Sequence, residues 1–413
     1  MKSINRIPTS KLQRASKIVS TGAKVGVNYI KYYGQKISKT QAEAKENLNK
    51  NNAEDIYGGL KQLKGSALKV AQMLSMEKNL LPRAYVEKFS LAQFSVPPLS
   101  PPLVVKTFKK YFGQTPEVIF DEFDTKSVNA ASIGQVHKAK KNGKRLAVKI
   151  QYPGVADSIK SDLALIKPLA LKILNINAKG AEKYFKEVEE KLTEETDYCL
   201  EIEQSQQIAD ACSQIPNLLF PSYYREMSSN RILTMDFMKG LHLSEFVKTN
   251  ADTEKSNQLG QALWDFYMHQ IHNLKKVHAD PHPGNFLINN NAQLIALDFG
   301  CMKSIPDTFY IPYFELAEKS VMNNPKLFTK KLYELEILTA EDTPEETAFF
   351  KDMFYDLLNV FTMPFQKAVF DFSDSNFFTK IGDLAERYSQ NTELRKFNNS
   401  RGSKHFIYMN RTF

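Results

Sequence analysis

The feature that ties this chain most tightly to one kind of fold is the dipeptide Asn142-Gly143, set between residues 135–139 and 144–150. Both flanking runs read as strand. Asn-Gly readily takes the positive φ that a two-residue hairpin turn needs at both central positions, so the runs are expected to pair antiparallel. Two further β-rich runs are read nearby, Val118-Ile119-Phe120 and residues 220–237, the latter ending in 231–237. Around this island the texture is helical. Residues 10–105 carry Leu63, Ala67, Val70 and Leu74 at helical spacing, with Met73 beside them. Pro82 interrupts that segment, and Pro97, Pro98, Pro101 and Pro102 mark a boundary loop. Residues 155–208 return to helix, and beyond 237 only a short β pair near 285–298 breaks the helical pattern. There are no internal repeats. A helical front, a small β-rich lobe and a larger helical lobe make an α+β chain.

At 413 residues the chain holds two or three domain-sized units and can bury a substantial core. Cys199, Cys212 and Cys301 lie far apart without CxxC spacing, which argues against a disulfide framework or structural zinc and suits a reducing compartment. The longest apolar stretch, residues 163–174, is interrupted by Lys167, Pro168 and Lys172, so no bilayer-spanning segment is expected. The first residues lack the apolar region of a secretory signal.

Charge is unevenly placed. Residues 1–42 carry nine basic residues (Lys2, Arg6, Lys11, Arg14, Lys17, Lys24, Lys31, Lys36 and Lys39) and no acid, which equals the whole net charge of +9. Two readings stand: a solvated tail or helix face, or an arm that touches an anionic surface, foremost a lipid leaflet. A mitochondrial transit peptide fits less well, because such peptides favour Arg and this arm is mostly Lys. Nucleic acid is not an expected partner, since the basic excess does not run on into a groove interleaved with aromatics.

The stretch from Val277 to Ile288 carries the chemistry. It reads His278-Ala279-Asp280-Pro281-His282-Pro283-Gly284-Asn285, and Asp298-Phe299-Gly300 follows. Asp280 and Asn285 are spaced as the Asp and Asn of the kinase pattern HRDxxxxN, and Asp298 falls in a DFG. Phosphoryl transfer from ATP needs a carboxylate to orient a hydroxyl or water, the place of Asp280. It also needs a carboxylate and an amide oxygen to hold Mg²⁺, the places of Asp298 and Asn285. A rival reading takes His278, Asp280 and His282 as part of a non-haem iron site. Pro281 and Pro283 suit a loop rather than the strand such a site would need, and His269 and His272 upstream read as helix-surface or packing histidines.

Upstream, Leu146-Ala147-Val148-Lys149 resembles the kinase VAIK strand, whose Lys grips the nucleotide phosphates. One hairpin earlier lies a small-residue loop, Asn129-Ala130-Ala131-Ser132-Ile133-Gly134-Gln135, where a kinase has a Gly-rich phosphate loop. Alanine allows close approach but disfavours positive φ, so this loop is expected to be stiffer. Lys149 needs a carboxylate on a helix. An acidic helix over residues 182–203, with Phe185, Val188, Leu192, Cys199 and Ile202 on its apolar face, offers Glu194, Glu195, Asp197 and Glu201 near its end. Glu182, Glu187, Glu189 and Glu190 read as its solvated face. A further helix must lie between Lys149 and this one.

With these residues in hand, the chain resembles the UbiB-like atypical kinase family, which includes mitochondrial and bacterial proteins required for ubiquinone biosynthesis, over about residues 55–410. The motifs that carry the likeness are Ala130-Ala131-Ser132-Ile133-Gly134-Gln135-Val136-His137, the run from Val148 to Val155, Glu195-Thr196-Asp197-Tyr198 with Glu201, the His278–Asn285 stretch and Asp298-Phe299-Gly300. The resemblance implies a protein-kinase-like two-lobed fold with an N-terminal helical extension. That extension carries a KxGQ motif over the active site, here Lys69-Val70-Ala71-Gln72 with Ala71 in place of Gly. The implied boundaries are a basic arm over 1–54, the extension over 55–110, an N-lobe with inserted helices over 111–237 and a helical C-lobe over 238–413.

The implied roles follow. Asp280 and Lys149 are catalytic, and Asn285 and Asp298 hold Mg²⁺. Ala130, Ala131, Ser132, Ile133, Gly134, Lys149 and Glu201 bind ATP or ADP, with Met235, Asp236, Phe237 and Met238 as the adenine hinge. Lys69, Gln72, Glu195 and Asp197 gate the site. His282 stands where protein kinases carry a Lys, and no A-P-E follows Asp298, so ATP hydrolysis or small-molecule phosphorylation is expected over protein phosphorylation. The expected setting is the cytoplasm with peripheral membrane association, or alternatively the mitochondrial matrix face, with quinone-biosynthesis proteins as partners. A second reading is a nucleotide-switched lipid- or protein-binding module with negligible catalysis. Residues 403–413 read as the start of another helix, and the chain is expected to end short of the family's usual C-terminus.

Overall fold

The computed structural model describes residues 11–413 except 37–38, 64, 77–81, 91–97, 131–132, 175–177, 250–251, 279–281, 390–404, 406–408 and 410–413. The chain divides into two compact units. The first comprises residues 1–175, 182–269 and 280–302, and the second residues 176–181, 270–279 and 303–413. Residues 280–302, read from the sequence with the helical C-lobe, therefore belong to the first unit.

The first unit opens with helices α1 (Lys11–Gln35), α2 (Gln41–Leu63), α3 (Gly65–Met76), α4 (Arg83–Ser90) and α5 (Pro101–Phe112). The apolar series Leu63, Ala67, Val70 is buried, but it spans a break rather than one helix. The break lies beside Gly65, whose φ of 59° suits glycine and whose missing side chain makes room for Val155. Pro101 and Pro102, read as loop, are the first residues of α5; their fixed φ suits the first helical turn and their missing N–H costs nothing there. Val118 and Ile119 correct an expected strand. They lie in the single helical turn α6 (Pro116–Ile119), nucleated by Pro116 after Thr115, and the strand forms only at β1 (Glu122–Phe123).

The hairpin forms as Asn-Gly requires. Strands β3 (Gly134–Lys141) and β4 (Lys144–Gln151) pair antiparallel, with Asn142 at φ 48° and Gly143 at φ 76° between them. Strand β2 (Asn129–Ala130) and β1 both pair with β3. Helices α7 (Val155–Leu174), α8 (Ala178–Glu195) and α9 (Tyr198–Ala211) follow, α7 being the further helix that the spacing demanded. The acidic segment is thus two helices, not one. Asp197 breaks it, accepting bonds from Cys199 N at 3.1 Å and Leu200 N at 3.3 Å as the N-cap of α9. The break rotates the later residues, so Cys199 is exposed rather than on the apolar face. Glu187, read as solvated, is buried.

The expected strand run over 220–237 is shorter. Strand β5 (Leu218–Leu219) precedes it, a 3₁₀ turn at Arg225–Met227 interrupts it, and within it β6 (Ile232–Asp236) is strand and pairs with β4. Strand β7 (Leu241–His242) and helices α10 (Leu243–Phe246) and α11 (Thr253–Met268) come next. A second sheet runs β5-β10-β9-β7, with β9 (Phe286–Ile288) and β10 (Leu294–Ala296) forming the expected pair. Phe266 of α11 packs against Phe220, Phe286 and Phe299.

The second unit holds β8 (Lys276–His278), most of β11 (Met302–Ser304), α12 (Asp307–Leu316), α13 (Lys319–Met322), α14 (Pro325–Glu334), α15 (Pro344–Phe361) and α16 (Ser375–Ser389). A capping box of Thr343 and Glu346 starts α15. Val360, Phe377 and Leu384 form a core in which Phe370 and Ile381 also pack. An apolar cavity of about 980 Å³ opens among α12, α13 and α15, lined by Tyr313, Met322, Phe354, Leu358 and Phe365. The expected helix over 403–413 lies mostly outside the described residues. No described helix is long and apolar enough to cross a membrane, and the three cysteines are free.

Candidate active site

The site is built on β4. Leu146, Val148 and Ile150 are buried, and Lys149 sits between them in register with Val136 of β3 and Leu233 of β6. Its Nζ donates to Glu201 Oε1 at 2.9 Å and Oε2 at 3.0 Å, and to Asp298 Oδ2 at 3.2 Å. The Tyr198 ring lies beneath, with its centroid 5.0 Å from Nζ. Several acids of the 182–203 segment stood as candidate partners, and the geometry selects Glu201.

The reason lies in the turn between α8 and α9. Thr196 O accepts from Gln151 Nε2 at 2.9 Å, at the end of β4, and from Arg231 Nη1 at 2.5 Å, at the start of β6. Tyr198 N donates to Asn230 O at 3.3 Å. The turn is thereby pinned to the sheet, and Asp197 sets the start of α9 so that its first turn delivers Glu201. Gly300 completes the fit. Its N–H donates to Asp298 Oδ1 at 3.0 Å, and a Cβ there would stand 3.2 Å from Glu201 Oε2. Phe299 anchors the tripeptide by packing on Phe220 and Phe266.

One cation therefore faces two carboxylates in a largely buried place. Burial alone would lower the Lys149 pKa, but Asp298 and Glu201 outweigh it and hold the ammonium well above the ordinary lysine range. Burial pushes the Glu201 carboxyl up to about 7, against the opposing pull of Lys149 and with the help of Asp298. The Asp298 side chain is 37% exposed.

Asn285 stands at the end of a 3₁₀ turn, Pro283–Asn285, that His282 caps by accepting Gly284 N at Nδ1, 2.9 Å. Its carbonyl accepts Leu297 N at 3.0 Å, which fastens residue 285 to the residue before Asp298. Tyr223 Oη donates to Leu297 O at 3.0 Å from the opposite side. Asp280 lies outside the described residues, and so do Ala131 and Ser132 of the small-residue loop. Ala130 ends β2 opposite Gln135, Ile133 is buried, and Gly134 packs so closely that a Cβ would lie 2.8 Å from Ile150 O.

At the hinge, Met235 is in register with Ala147 of β4. Asp236 N donates to Ser222 O at 2.9 Å and Phe237 N to Arg145 O at 3.0 Å, while the Asp236 carboxylate holds Tyr224 Oη at 2.7 Å. These bonds leave the N–H of Met238 as the hinge donor without a bond among the described residues.

Of the four gating residues, Lys69 and Glu195 meet. Lys69 Nζ lies 2.8 Å from Glu195 Oε1; Lys69 is buried and the Glu195 side chain is 15% exposed. Gln72 lies on α3, but its side chain is outside the described residues. Asp197 serves as the α9 cap. Of the iron reading, His278 is buried in β8 with its N–H on Gln270 Oε1 at 3.1 Å, and His282 is the cap just described. No group of three or more His, Cys, Asp or Glu that could hold a metal ion occurs among the described residues. The sequence reading passed over Tyr198, Tyr223 and Gly300 as parts of the site. Tyr198 had a signal, since it follows an N-cap Asp by one residue; the other two are placed only by tertiary contacts.

Residues 91–332 match the model of the ABC1 atypical kinase-like domain. Among relatives, the chain is similar to the protein ACTIVITY OF BC1 COMPLEX KINASE 8, chloroplastic, of Arabidopsis thaliana, 31% identical over 58% of this chain and 32% of that protein. It is also similar to the atypical kinase COQ8, mitochondrial, of Saccharomyces cerevisiae, 28% identical over 91% of this chain and 75% of that protein. The chain thus spans between about a third and three quarters of the length of these relatives. Among solved structures, it is similar to the Rv3197–erythromycin complex from Mycobacterium tuberculosis, with a TM-score of 0.53 and 26% identity over 80% of this chain and 83% of that one.

Proposed function

The chain belongs to the ABC1 atypical kinase-like family, and on that premise we propose that it binds ATP with Mg²⁺ and carries out phosphoryl chemistry, as an ATPase or a small-molecule kinase. The observation that carries this reading is Lys149 Nζ held by Glu201 at 2.9 Å and by Asp298 at 3.2 Å. A lysine so placed is oriented to meet phosphate oxygens, and its charge is secured by two carboxylates.

The residues fit a divalent cation. Hard oxygen donors are what Mg²⁺ takes, and the chain offers the partly exposed Asp298 carboxylate and the amide of Asn285, whose backbone carbonyl is bonded to the residue before Asp298. When bound, the ion would neutralise charge on the phosphate oxygens.

The remaining work falls to the chain. Lys149 would hold the phosphates, positioned by Glu201. Ala130 to Gly134 would cover them through backbone N–H groups. Met238 N–H would meet the adenine, since those of Asp236 and Phe237 are already bonded. Asp280 would orient the attacking hydroxyl or water. The Lys69–Glu195 pair ties α3 to the turn that sets Glu201, which supports a gating role for the helical extension.

The finer biological setting is also proposed: support of quinone or isoprenoid lipid metabolism at a membrane face, with peripheral attachment in the cytoplasm or on the mitochondrial matrix side. The likeness to the mitochondrial atypical kinase COQ8 supports this part. The test is a single-turnover assay with labelled ATP and Mg²⁺ on the wild type and on Asp280→Asn. Phosphate release that depends on Asp280 supports the enzyme. Binding without release would show a nucleotide-switched binding module instead.

A further inference from the structure

Helix α1 docks by a mostly polar side. Arg14, Thr21 and Asn28 are buried, with Val25 among them. Asn28 Nδ2 donates to Asn52 Oδ1 at 3.2 Å and to Asp55 Oδ2 at 2.8 Å, and a Cβ at Gly59 of α2 would overlap Thr21 Oγ1. These contacts hold α1 to α2. Arg14 reaches further, to α7. Its guanidinium forks on Asp162, Nε to Oδ1 at 2.7 Å and Nη2 to Oδ2 at 2.5 Å, while Nη1 donates to Leu63 O at 3.0 Å. A cation in the first turn opposes the helix dipole, so Arg14 gains nothing from α1 itself. Its gain lies in Asp162.

Asp162 is fully buried, and among the described residues Arg14 is the cation paired with it. Its Oδ2 also accepts from Ser158 Oγ at 3.0 Å and from Ser66 Oγ. Ser66 is fully buried in the first turn of α3, next to Gly65, whose missing side chain makes room for Val155 of α7. Three residues on, and so on the same side of α3, Lys69 meets Glu195 at 2.8 Å. Two points of α3 one turn apart are thus keyed, Ser66 to Asp162 and Lys69 to Glu195. The second key adjoins Thr196, whose carbonyl is pinned to the sheet, and Asp197, the cap from which α9 delivers Glu201.

A buried carboxylate stripped of its cation is costly, so the place of Asp162 depends on Arg14. We propose that Arg14 is a positioning residue for the candidate active site. By neutralising Asp162 it fixes Ser66 and α3, and α3 through Lys69 steadies the turn that brings Glu201 to Lys149. The effect on turnover rests on the phosphoryl reading above; the link from α1 to α3 does not.

The test is hydrogen exchange of the full chain without nucleotide, read by mass spectrometry, in the wild type, in Arg14→Met and in Arg14→Met with Asp162→Asn. In Arg14→Met the amides of residues 69–72 and 196–198 should exchange roughly a hundredfold faster, while those of the β3–β4 hairpin keep their wild-type rates. The double variant should bring both segments back near the wild-type rates, because an amide still accepts from Ser66 and Ser158 and carries no charge. An Arg14 that only adds packing would show no such rescue. Single-turnover phosphate release should fall about tenfold in Arg14→Met and recover in the double variant. If Arg14→Met does not fold, Arg14→Lys takes its place, keeping the charge without the fork, and the same pattern should appear at about tenfold. Unchanged exchange at 69–72 and 196–198 overturns the proposal, as does equal acceleration of the hairpin amides or a loss that Asp162→Asn deepens. Phosphate release by Arg14→Met at the wild-type rate also overturns it. Exchange that follows the expected pattern in a wild type that releases no phosphate upholds the link from α1 to α3 and overturns the phosphoryl reading instead.

Discussion

Glu201 presents both of its carboxylate oxygens to Lys149 Nζ, at 2.9 and 3.0 Å, from the first turn of a helix that begins only four residues earlier at its cap, Asp197. The pair works as a unit, because each side chain is held by a different part of the fold and Glu201 takes two of the three bonds that Lys149 Nζ donates. Glu201→Gln should therefore leave the protein folded and lower single-turnover phosphate release by roughly 10- to 1,000-fold, the range seen when a positioned charge is lost from a site. Rates on the purified variant, with its circular dichroism spectrum as the control, check this.

Gly300 gives a finer probe of the same geometry. A Cβ at this position stands 3.2 Å from Glu201 Oε2, tighter than ordinary contact, so Gly300→Ala should displace the carboxylate from Lys149 by a few tenths of an ångström. The expected result is a loss of phosphate release of about tenfold or more with little change in unfolding temperature. An unchanged rate would show that the tripeptide does not set Glu201.

The Lys69–Glu195 pair is largely withdrawn from solvent, so its parts are unequal in cost. Removing Lys69 alone leaves a largely buried carboxylate without its cation, and Lys69→Ala should lower stability by roughly 3–5 kcal/mol. Replacing both residues, Lys69→Met with Glu195→Leu, should restore most of that loss, because the desolvation cost disappears with the charges. Urea unfolding of the single and double variants measures the difference.

His137 supplies the pH dependence. It is fully buried, takes a hydrogen bond from Gln135 Nε2 at its Nε2, 2.7 Å, and gives one from Nδ1 to Asp124 O at 2.8 Å, which requires the neutral ring. Burial lowers its pKa below 6.5. Between the folded and unfolded values the unfolded chain binds more protons, so stability rises with pH in that window. The contribution is fully present above about 6.5 and is lost as pH falls through the folded value. The melting temperature should therefore fall from pH 7.5 to pH 5 by more in the wild type than in His137→Gln.

The parts of the fold that could be read from the residues were those specified locally. Asn142-Gly143 needs only its own backbone to turn the chain, and Lys149 ends an apolar run that can be nothing but strand beside it. What could not be read depends on partners remote in sequence. Gly65 breaks a helical series whose spacing is intact, because the reason for the break is Val155, ninety residues away. The division of the acidic segment at Asp197 did have a local sign, an N-cap residue, which hydrophobic spacing alone does not register. Glu201 could be singled out from its acidic neighbours only by resemblance, until the pinning of Thr196 by Gln151 and Arg231 supplied the physical cause. Helix α1 runs against the ordinary rule altogether, since its period is plain but the side that docks is the polar one.

On the proposed reading, Asp298, which accepts from Lys149, helps to hold a metal-bound nucleotide. The most direct measurement is the thermal stabilisation of the full chain by ATP with Mg²⁺, compared with ATP alone, in the wild type and in Asp298→Asn. The wild type should gain roughly 5 °C or more at saturating nucleotide and only in the presence of the metal, while Asp298→Asn should gain almost nothing. Equal stabilisation of both proteins, or none of the wild type, would show that Asp298 holds no metal-bound nucleotide.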